Sequence, residues 1–231
     1  MYLETTILGI RVHKISRNNL EKEIVSALSK KRHPLFIATI NPSFIIKAQK
    51  DVLFRDILNT KTTLNVPDGV GLKLADKNLE IITGVDITKF ILSEAEKLNR
   101  TVLIVVREDS LTTDRKIKEY LLSKYPRLRF NITDASLAGK KGDVLFCALG
   151  EVAQEKTIFE NIKNTESLVA VGVGGTFDVL TGAVKIPQTK HFGWFFRLLA
   201  NPRRASKTVR SVLIFPLLLL FYRAKRLKPH I

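Results

Sequence analysis

The chain has 231 residues, 45% of them hydrophobic and 26% charged, a globular balance that excludes disordered and collagen-like classes. This length exceeds the roughly 100–200 residues of a usual domain, so one large domain with an appendage is expected. The net charge of +16 arises from 38 basic and 22 acidic residues. The single cysteine, Cys147, excludes an internal disulfide and any cysteine-based zinc cluster.

The charge is unevenly placed. No acidic residue follows Asp178, whereas eleven basic ones do, so the last 53 residues carry +11 and the first 178 carry +5. This asymmetry marks a body with a basic tail. The first ten residues lack a basic stretch followed by an apolar one, so no secretory signal is read and the chain is expected to be cytosolic.

Along the chain, residues 6–12, broken at Gly9, suit a small hairpin or edge strand. Short apolar runs rich in β-branched residues then predict strands at 35–40, 63–66, 101–106, 128–132, 144–149 and 168–173. Between them, 20–29, 43–49, 70–75, 87–98, 114–122 and 154–162 have helical periodicity. Strands nearly continuous in Val, Ile and Leu are expected where helices cover both faces of a sheet. The alternation predicts an α/β fold with a mostly parallel sheet, whose ligands gather at the carboxyl ends of the strands. Cys147 falls within the run 144–149 and is expected to be a buried, inert thiol.

Four strand ends carry candidate chemistry. In Thr39-Ile40-Asn41-Pro42, Asn41 is either a helix N-cap or, with the Thr39 hydroxyl, a contact for a polar ligand. In Asn65-Val66-Pro67-Asp68-Gly69-Val70-Gly71, Pro-Asp-Gly is a turn signature. The same turn projects a carboxylate suited to general-base work on a sugar hydroxyl, and its glycines let a substrate approach the backbone. In Ala148-Leu149-Gly150-Glu151-Val152-Ala153-Gln154, helix N-terminal amides and the Gln154 amide suit an anionic or polyhydroxylated ligand; an ordinary strand-to-helix loop is the alternative. The fourth, Gly172-Val173-Gly174-Gly175-Thr176-Phe177-Asp178, lacks the last glycine of the dinucleotide fingerprint and so does not argue for NAD, yet permits close approach to a phosphate. Asp178 either binds a ligand or caps a short helix at 176–180.

No Asp-x-Asp pair and no Walker loop occur. His13, His33, His191 and His230 are scattered without metal-ligand spacing and are read as surface residues. No cofactor is expected.

In the tail, residues 212–222 form an eleven-residue apolar run interrupted by Pro216 and flanked on both sides by arginines and lysines. A helical span needs about 20 residues, so this run should not cross a bilayer. Trp194, Phe195, Phe196 and Tyr222 add interfacial aromatics. The run is read as lying among lipid headgroups, drawn to anionic lipid by its cations. A core helix docked on the body and a nucleic-acid-binding tail are the competing readings; an apolar stretch of this length argues against nucleic acid.

Taken together and in register, Thr-x-Asn at 39–41, Asn-Val-Pro-Asp-Gly at 65–69, Ala-Leu-Gly-x-x-x-Gln-Glu-Lys at 148–156 and Gly-Val-Gly-Gly-x-Phe-Asp-Val-x-x-Gly at 172–182 resemble the WecG/TagA/CpsF family of bacterial glycosyltransferases. The likeness runs from about Leu3 to Lys228, including Gly193-Trp194-Phe195-Phe196-Arg197 and Asn201-Pro202-Arg203-Arg204 in the tail. It implies a Rossmann-like domain over 1–187 and a membrane-associating helical appendage over 188–231.

The implied activity is inverting transfer of N-acetylmannosamine, or a related sugar, from UDP to polyprenyl-diphosphate-linked N-acetylglucosamine. It needs no obligatory metal and serves teichoic acid, common antigen or capsule synthesis. The resemblance makes Asp68 the base and places Thr39, Asn41 and Gln154 in the pocket, with Arg197, Arg203 and Arg204 reaching the diphosphate. Asn65, Gly69, Gly150, Gly174, Gly175 and Asp178 complete the candidate substrate contacts. A peripheral location on the cytoplasmic membrane face and a homo-oligomer are also implied.

The chain departs from the family pattern at three places: Ile81 stands where an arginine is common, Val105-Val106-Arg107-Glu108-Asp109 replaces a glycine turn, and Ile186-Pro187 replaces Arg-Ala-Pro. The alternative reading is a relative that binds nucleotide sugar or lipid diphosphate and assists a partner enzyme.

Overall fold

The computed structural model describes residues 2–29, 33–184 and 213–226, with side chains up to 223 in the last segment. The chain opens with a hairpin of β1 (Glu4–Ile7) and β2 (Ile10–His13), paired antiparallel. Leu8 and Gly9 close it with φ of 50° and 80°, the positive values that a two-residue turn requires.

The α/β alternation follows. In chain order come α1 (Arg17–Ser29), β3 (Leu35–Ile40), α2 (Pro42–Ala48), α3 (Val52–Asp56), a π-turn at Ile57–Lys61, β4 (Leu64–Pro67) and a 3-10 turn at Val70–Leu74. Then come α4 (Gly84–Lys97), β5 (Thr101–Val106), α5 (Asp114–Lys124), β6 (Arg129–Thr133), β7 (Val144–Ala148), α6 (Ala153–Asn161), β8 (Val169–Gly172), α7 (Thr176–Leu180) and α8 (Phe215–Arg226).

Side-chain caps set several helix starts. Asn41, Asp51, Thr83 and Thr113 each accept from a backbone N–H three residues on, satisfying donors that the first helical turn leaves unpaired. The six predicted strands lie within one or two residues of those observed. Helix α3 and the π-turn were not anticipated, being too short to show a full amphipathic period.

Strands β3–β8 form one parallel sheet in the order β4-β3-β8-β7-β5-β6. Successive side chains alternate between its faces. Ile37, Val102, Ile104, Phe146 and Val171 meet α1, α4 and α5, whereas Phe36, Leu103, Val105, Leu145 and Ala170 meet Ile158 of α6. Cys147 is fully buried on the second face, and burial pushes its thiol up to about 12. The native protein is therefore expected to resist a water-soluble disulfide reagent such as DTNB until it is denatured; prompt labelling of folded protein would contradict this placement.

A third apolar cluster joins Ala38 and Ile40 of β3 to the hairpin, α2 and α8. Here the apolar tail run is a helix docked on the body. Phe215 is wholly buried and Leu219 nearly so, and the Arg223 guanidinium donates to the carbonyls of Leu74 and Ala75 at 3.2 and 3.3 Å. The opposite side of the helix stays apolar and exposed: Leu213, Leu217, Leu220 and Phe221 are 54–72% accessible. Among the described residues, no helix is long and apolar enough to cross a membrane. The expected boundary between 187 and 188 lies outside the described residues.

Candidate active site

The sheet order gathers the predicted strand ends. β3 is flanked by β4 and β8, and β8 by β7, so residues distant in sequence share one carboxyl rim. A methyl group on Gly84, at the start of α4, would lie 3.6 Å from Thr176 Oγ1 and 3.8 Å from both Asp68 Oδ2 and Thr39 Cγ2. Three elements therefore bring a carboxylate, the Thr176 hydroxyl and the Thr39 methyl to one glycine. Asp68 is held there by its own N–H, which donates to the Ile40 carbonyl at 2.6 Å. The Thr39 hydroxyl lies 3.4 Å from the Gly172 carbonyl, its acceptor on the neighbouring strand. Neither Gly84 nor Thr176 was singled out from sequence, because only the crossing of β3, β4 and α7 brings them to Asp68.

The glycines beside Asp68 have a packing reason. Gly69 has φ of 111°, and a methyl on Gly71 would fall 2.9 Å from Pro42 Cγ. The turn after β4 is thus pressed onto the start of α2, which fixes the carboxylate's height above the sheet.

Asn41 is both the N-cap and a rim residue. Its Oδ1 accepts from Phe44 N at 3.1 Å, and its Nδ2 donates to Glu151 Oε1 at 3.4 Å. Glu151 also accepts from the Ser43 hydroxyl at 2.7 Å and pairs with Lys47 at 3.2 Å, its side chain only 6% accessible. The sequence carries no signal for this role of Glu151, because its partners sit more than a hundred residues away.

Gln154 is almost wholly buried. Its Oε1 accepts from Gly174 N at 2.9 Å, and its Nε2 donates to Glu155 Oε1 at 2.6 Å. Glu155 is fully buried, which pushes its carboxyl up to about 8 despite hydrogen bonds from Gln154 and the Val152 N–H. A side chain at Gly172 would collide with this pair. Gln154 thus holds the glycine turn after β8 in place. Gly175 precedes α7 as its N-cap residue, and Gly150 turns with φ of 88°.

Asp178 lies in the first turn of α7 and accepts from Thr112 Oγ1 at 3.0 Å and Ser110 Oγ at 3.5 Å. It ties the loop after β5 to the loop after β8. Arg107, the first residue of that β5 loop, is half-exposed and pairs with exposed Asp109 at 3.1 Å. Its Nη1 comes within 4.0 Å of where a methyl on Gly150 would sit.

Two expectations need correction. Asn65 is fully buried away from the rim: its Nδ2 donates to the carbonyls of Arg11 and Leu58 at 2.7 and 2.6 Å, and its Oδ1 accepts from Thr62 at 2.9 Å. Its backbone N–H donates to His13 Nδ1 at 2.9 Å. These bonds stitch the hairpin onto β4, covering an edge of the sheet. His13 is accordingly buried rather than superficial; desolvation and the nearby Arg11 lower its pKa against the opposing pull of Glu4. Arg197, Arg203 and Arg204 lie outside the described residues, as do His191 and His230.

Comparison with known proteins identifies the family. The model of the glycosyl transferase WecG/TagA/CpsF family matches residues 5–229. The chain belongs to that family. Among its relatives is the N-acetylglucosaminyldiphosphoundecaprenol N-acetyl-beta-D-mannosaminyltransferase of Bacillus subtilis strain 168, 29% identical over 188 residues that cover 73% of this chain and 72% of the relative. The enzyme of the same name from Staphylococcus aureus strain NCTC 8325 is 25% identical over 202 residues, 78% of each chain. As a WecG/TagA/CpsF member the protein is a glycosyltransferase built on a parallel α/β sheet. Ile81, where the family pattern has an arginine, packs against the cluster that seats Phe215 and Leu219. An apolar residue there serves the docking of α8.

Proposed function

We propose that this protein transfers N-acetylmannosamine, or a closely related N-acetylated sugar, from UDP to polyprenyl-diphosphate-linked N-acetylglucosamine during synthesis of a cell-surface polysaccharide. The observation that carries this reading is the convergence of Asp68, Thr39 and Thr176 on Gly84 at the ligand end of the sheet. The printed activity of the relatives from Bacillus subtilis and Staphylococcus aureus supports it.

In this scheme the Asp68 carboxylate takes the proton from an acceptor hydroxyl as that oxygen attacks the anomeric carbon. The new C–O bond forms as the bond to UDP breaks, and the leaving diphosphate departs with the electron pair. Attack opposite the leaving group inverts the anomeric centre. Charge on the departing UDP calls for cations, and we assign that task to side chains, Arg197, Arg203 and Arg204 of the basic tail among them, since the sequence offers no Asp-x-Asp clamp for a metal. Thr39, Asn41, Gln154 and the glycine turns at Gly69, Gly150, Gly174 and Gly175 shape the pocket, with Asp178 anchoring its far loop.

A lipid-linked acceptor requires a membrane surface. The exposed apolar side of α8 continues into Val70 and Leu74 of the adjoining 3-10 turn, both more than half accessible, and basic residues flank it. We place this face among the headgroups of anionic lipid on the cytoplasmic side of the membrane. Replacing Leu217, Leu220 and Phe221 together by serine is expected to release the protein from vesicles containing phosphatidylglycerol without lowering its melting temperature. Phe215→Ala should instead lower it, since that side chain is buried; the cost is about 3–5 kcal/mol by analogy with other buried phenylalanines. Unchanged co-sedimentation of the triple variant would count against the lipid contact. Self-association is part of the reading, and sedimentation velocity tests it.

The function itself is tested by incubating the protein with UDP-N-acetylmannosamine and a short-chain prenyl-diphosphate N-acetylglucosamine. The product should be heavier than the acceptor by one N-acetylhexosamine residue, with inverted anomeric configuration by NMR. Acceptor that remains unmodified with every UDP-N-acetylhexosamine offered would overturn the proposal.

A further inference from the structure

The residues that directly follow the six parallel strands are Asn41, Asp68, Arg107, Asp134, Leu149 and Val173. One of them is a cation. Arg107 follows β5, and its guanidinium leans toward the Gly150 turn after β7, with Nη1 4.0 Å from where a Gly150 Cβ would lie. The guanidinium thus lies beside the turn that Gly150 makes with its φ of 88°.

The loop that carries Arg107 is built rather than loose. The Ser110 N–H donates to the Arg107 carbonyl at 3.1 Å, and the Ser110 and Thr112 hydroxyls reach the buried Asp178 of α7. The Arg107 side chain is held by little. Its partner Asp109 is 80% accessible, and a pair so exposed gains little over hydration of the separate charges. An ordered diphosphate, offering two negative groups and fixed acceptor oxygens, competes well for a guanidinium in that position. Glu108 is exposed beside the pair and adds negative charge to the loop.

Position along the rim decides which diphosphate this is. Asp68 follows β4 and Arg107 follows β5, four places apart in the sheet, which at about 4.8 Å per strand is about 19 Å. The exposed apolar face of α8 and the 3-10 turn lies at the β4 end, where Arg223 joins the helix to Leu74 and Ala75. A lipid-borne acceptor reaches the rim from that end. The opposite end is left to the sugar nucleotide, which is long enough to run from Asp68 across the glycine turns of β8 and β7.

We propose, on the basis of the glycosyltransferase reading above, that Arg107 grips the diphosphate of the sugar-nucleotide donor and so orients the donor with its sugar toward Asp68 and its nucleotide toward β7 and β5. Asp109 holds the guanidinium until the donor arrives.

The test is calorimetric titration of the full-length protein with UDP and with uridine, for wild type, Arg107→Ala, Arg107→Lys and Asp109→Asn, with donor and acceptor KM measured beside them. Loss of a charge-assisted contact predicts UDP binding about tenfold or more weaker in Arg107→Ala, partial recovery in Arg107→Lys, tighter binding in Asp109→Asn and unchanged uridine binding throughout. Donor KM should rise in Arg107→Ala while acceptor KM stays constant. Equal UDP affinity in wild type and Arg107→Ala would overturn the role of Arg107 and leave the glycosyltransferase reading standing. A rise confined to acceptor KM would place the guanidinium on the lipid diphosphate and overturn the donor assignment. A wild-type protein that binds neither UDP nor a UDP-sugar would defeat the functional reading itself, and this inference with it.

Discussion

Asp68→Asn is expected to abolish sugar transfer while leaving the fold intact. The substitution is nearly isosteric and keeps the backbone N–H bond to Ile40 that seats the turn, so the melting temperature should match wild type. An amide cannot take up a proton from the attacking hydroxyl, and removing a positioned general base costs on the order of 10²–10⁴ in rate. UDP binding should survive, because the proposed diphosphate contact lies across the sheet at Arg107. A variant that is folded, binds UDP and is inactive is the expected result; one that transfers sugar at the wild-type rate removes Asp68 from the mechanism.

The second large effect is on stability. Asn65→Ala deletes the amide donors to the Arg11 and Leu58 carbonyls and one acceptor of the Thr62 hydroxyl, so the Arg11 carbonyl loses its amide partner and Leu58 keeps only the Thr62 hydroxyl. An unsatisfied buried polar group costs about 1–3 kcal/mol, so a loss of about 3 kcal/mol in unfolding free energy is expected, read as a lower denaturant midpoint. The hairpin should then exchange its amide hydrogens faster, since those bonds hold it to β4. Below the unfolding transition, kcat and donor KM should stay near wild type. A folded Asn65→Ala whose donor KM rises severalfold with no change in stability would return Asn65 to the substrate site.

These two neighbours show what sequence patterning reveals. Asn65 and Asp68 stand three residues apart in one motif, and the motif gives both the same standing. Their separation comes from tertiary structure: the edge of β4 receives the hairpin at Asn65, whereas its carboxyl end faces the crevice at Asp68. His13 was misread for the same reason, since its burial depends on a strand pairing edgewise with a residue 52 positions away.

The sheet was legible because continuous runs such as 35–40 and 144–148 are short, nearly all apolar and bounded by turn residues. The rim was legible because a parallel sheet places its strand ends together whatever the detailed order. Glu151 and Thr176 were missed because their partners depend on that order, β8 lying between β3 and β7. The apolar tail run was half legible. Its length excluded a span, yet residues 212–222 are apolar all round, so periodicity does not mark which side meets the body and which remains exposed.

The most direct test of the account is acceptor-dependent release of UDP, measured in EDTA for wild type and Asp68→Asn with UDP-N-acetylmannosamine and the prenyl-diphosphate N-acetylglucosamine. Wild type should release UDP only when the acceptor is present, with or without EDTA, and Asp68→Asn should release none. Release that is equal in the two proteins, or wild-type release that stops when EDTA is added, would contradict it.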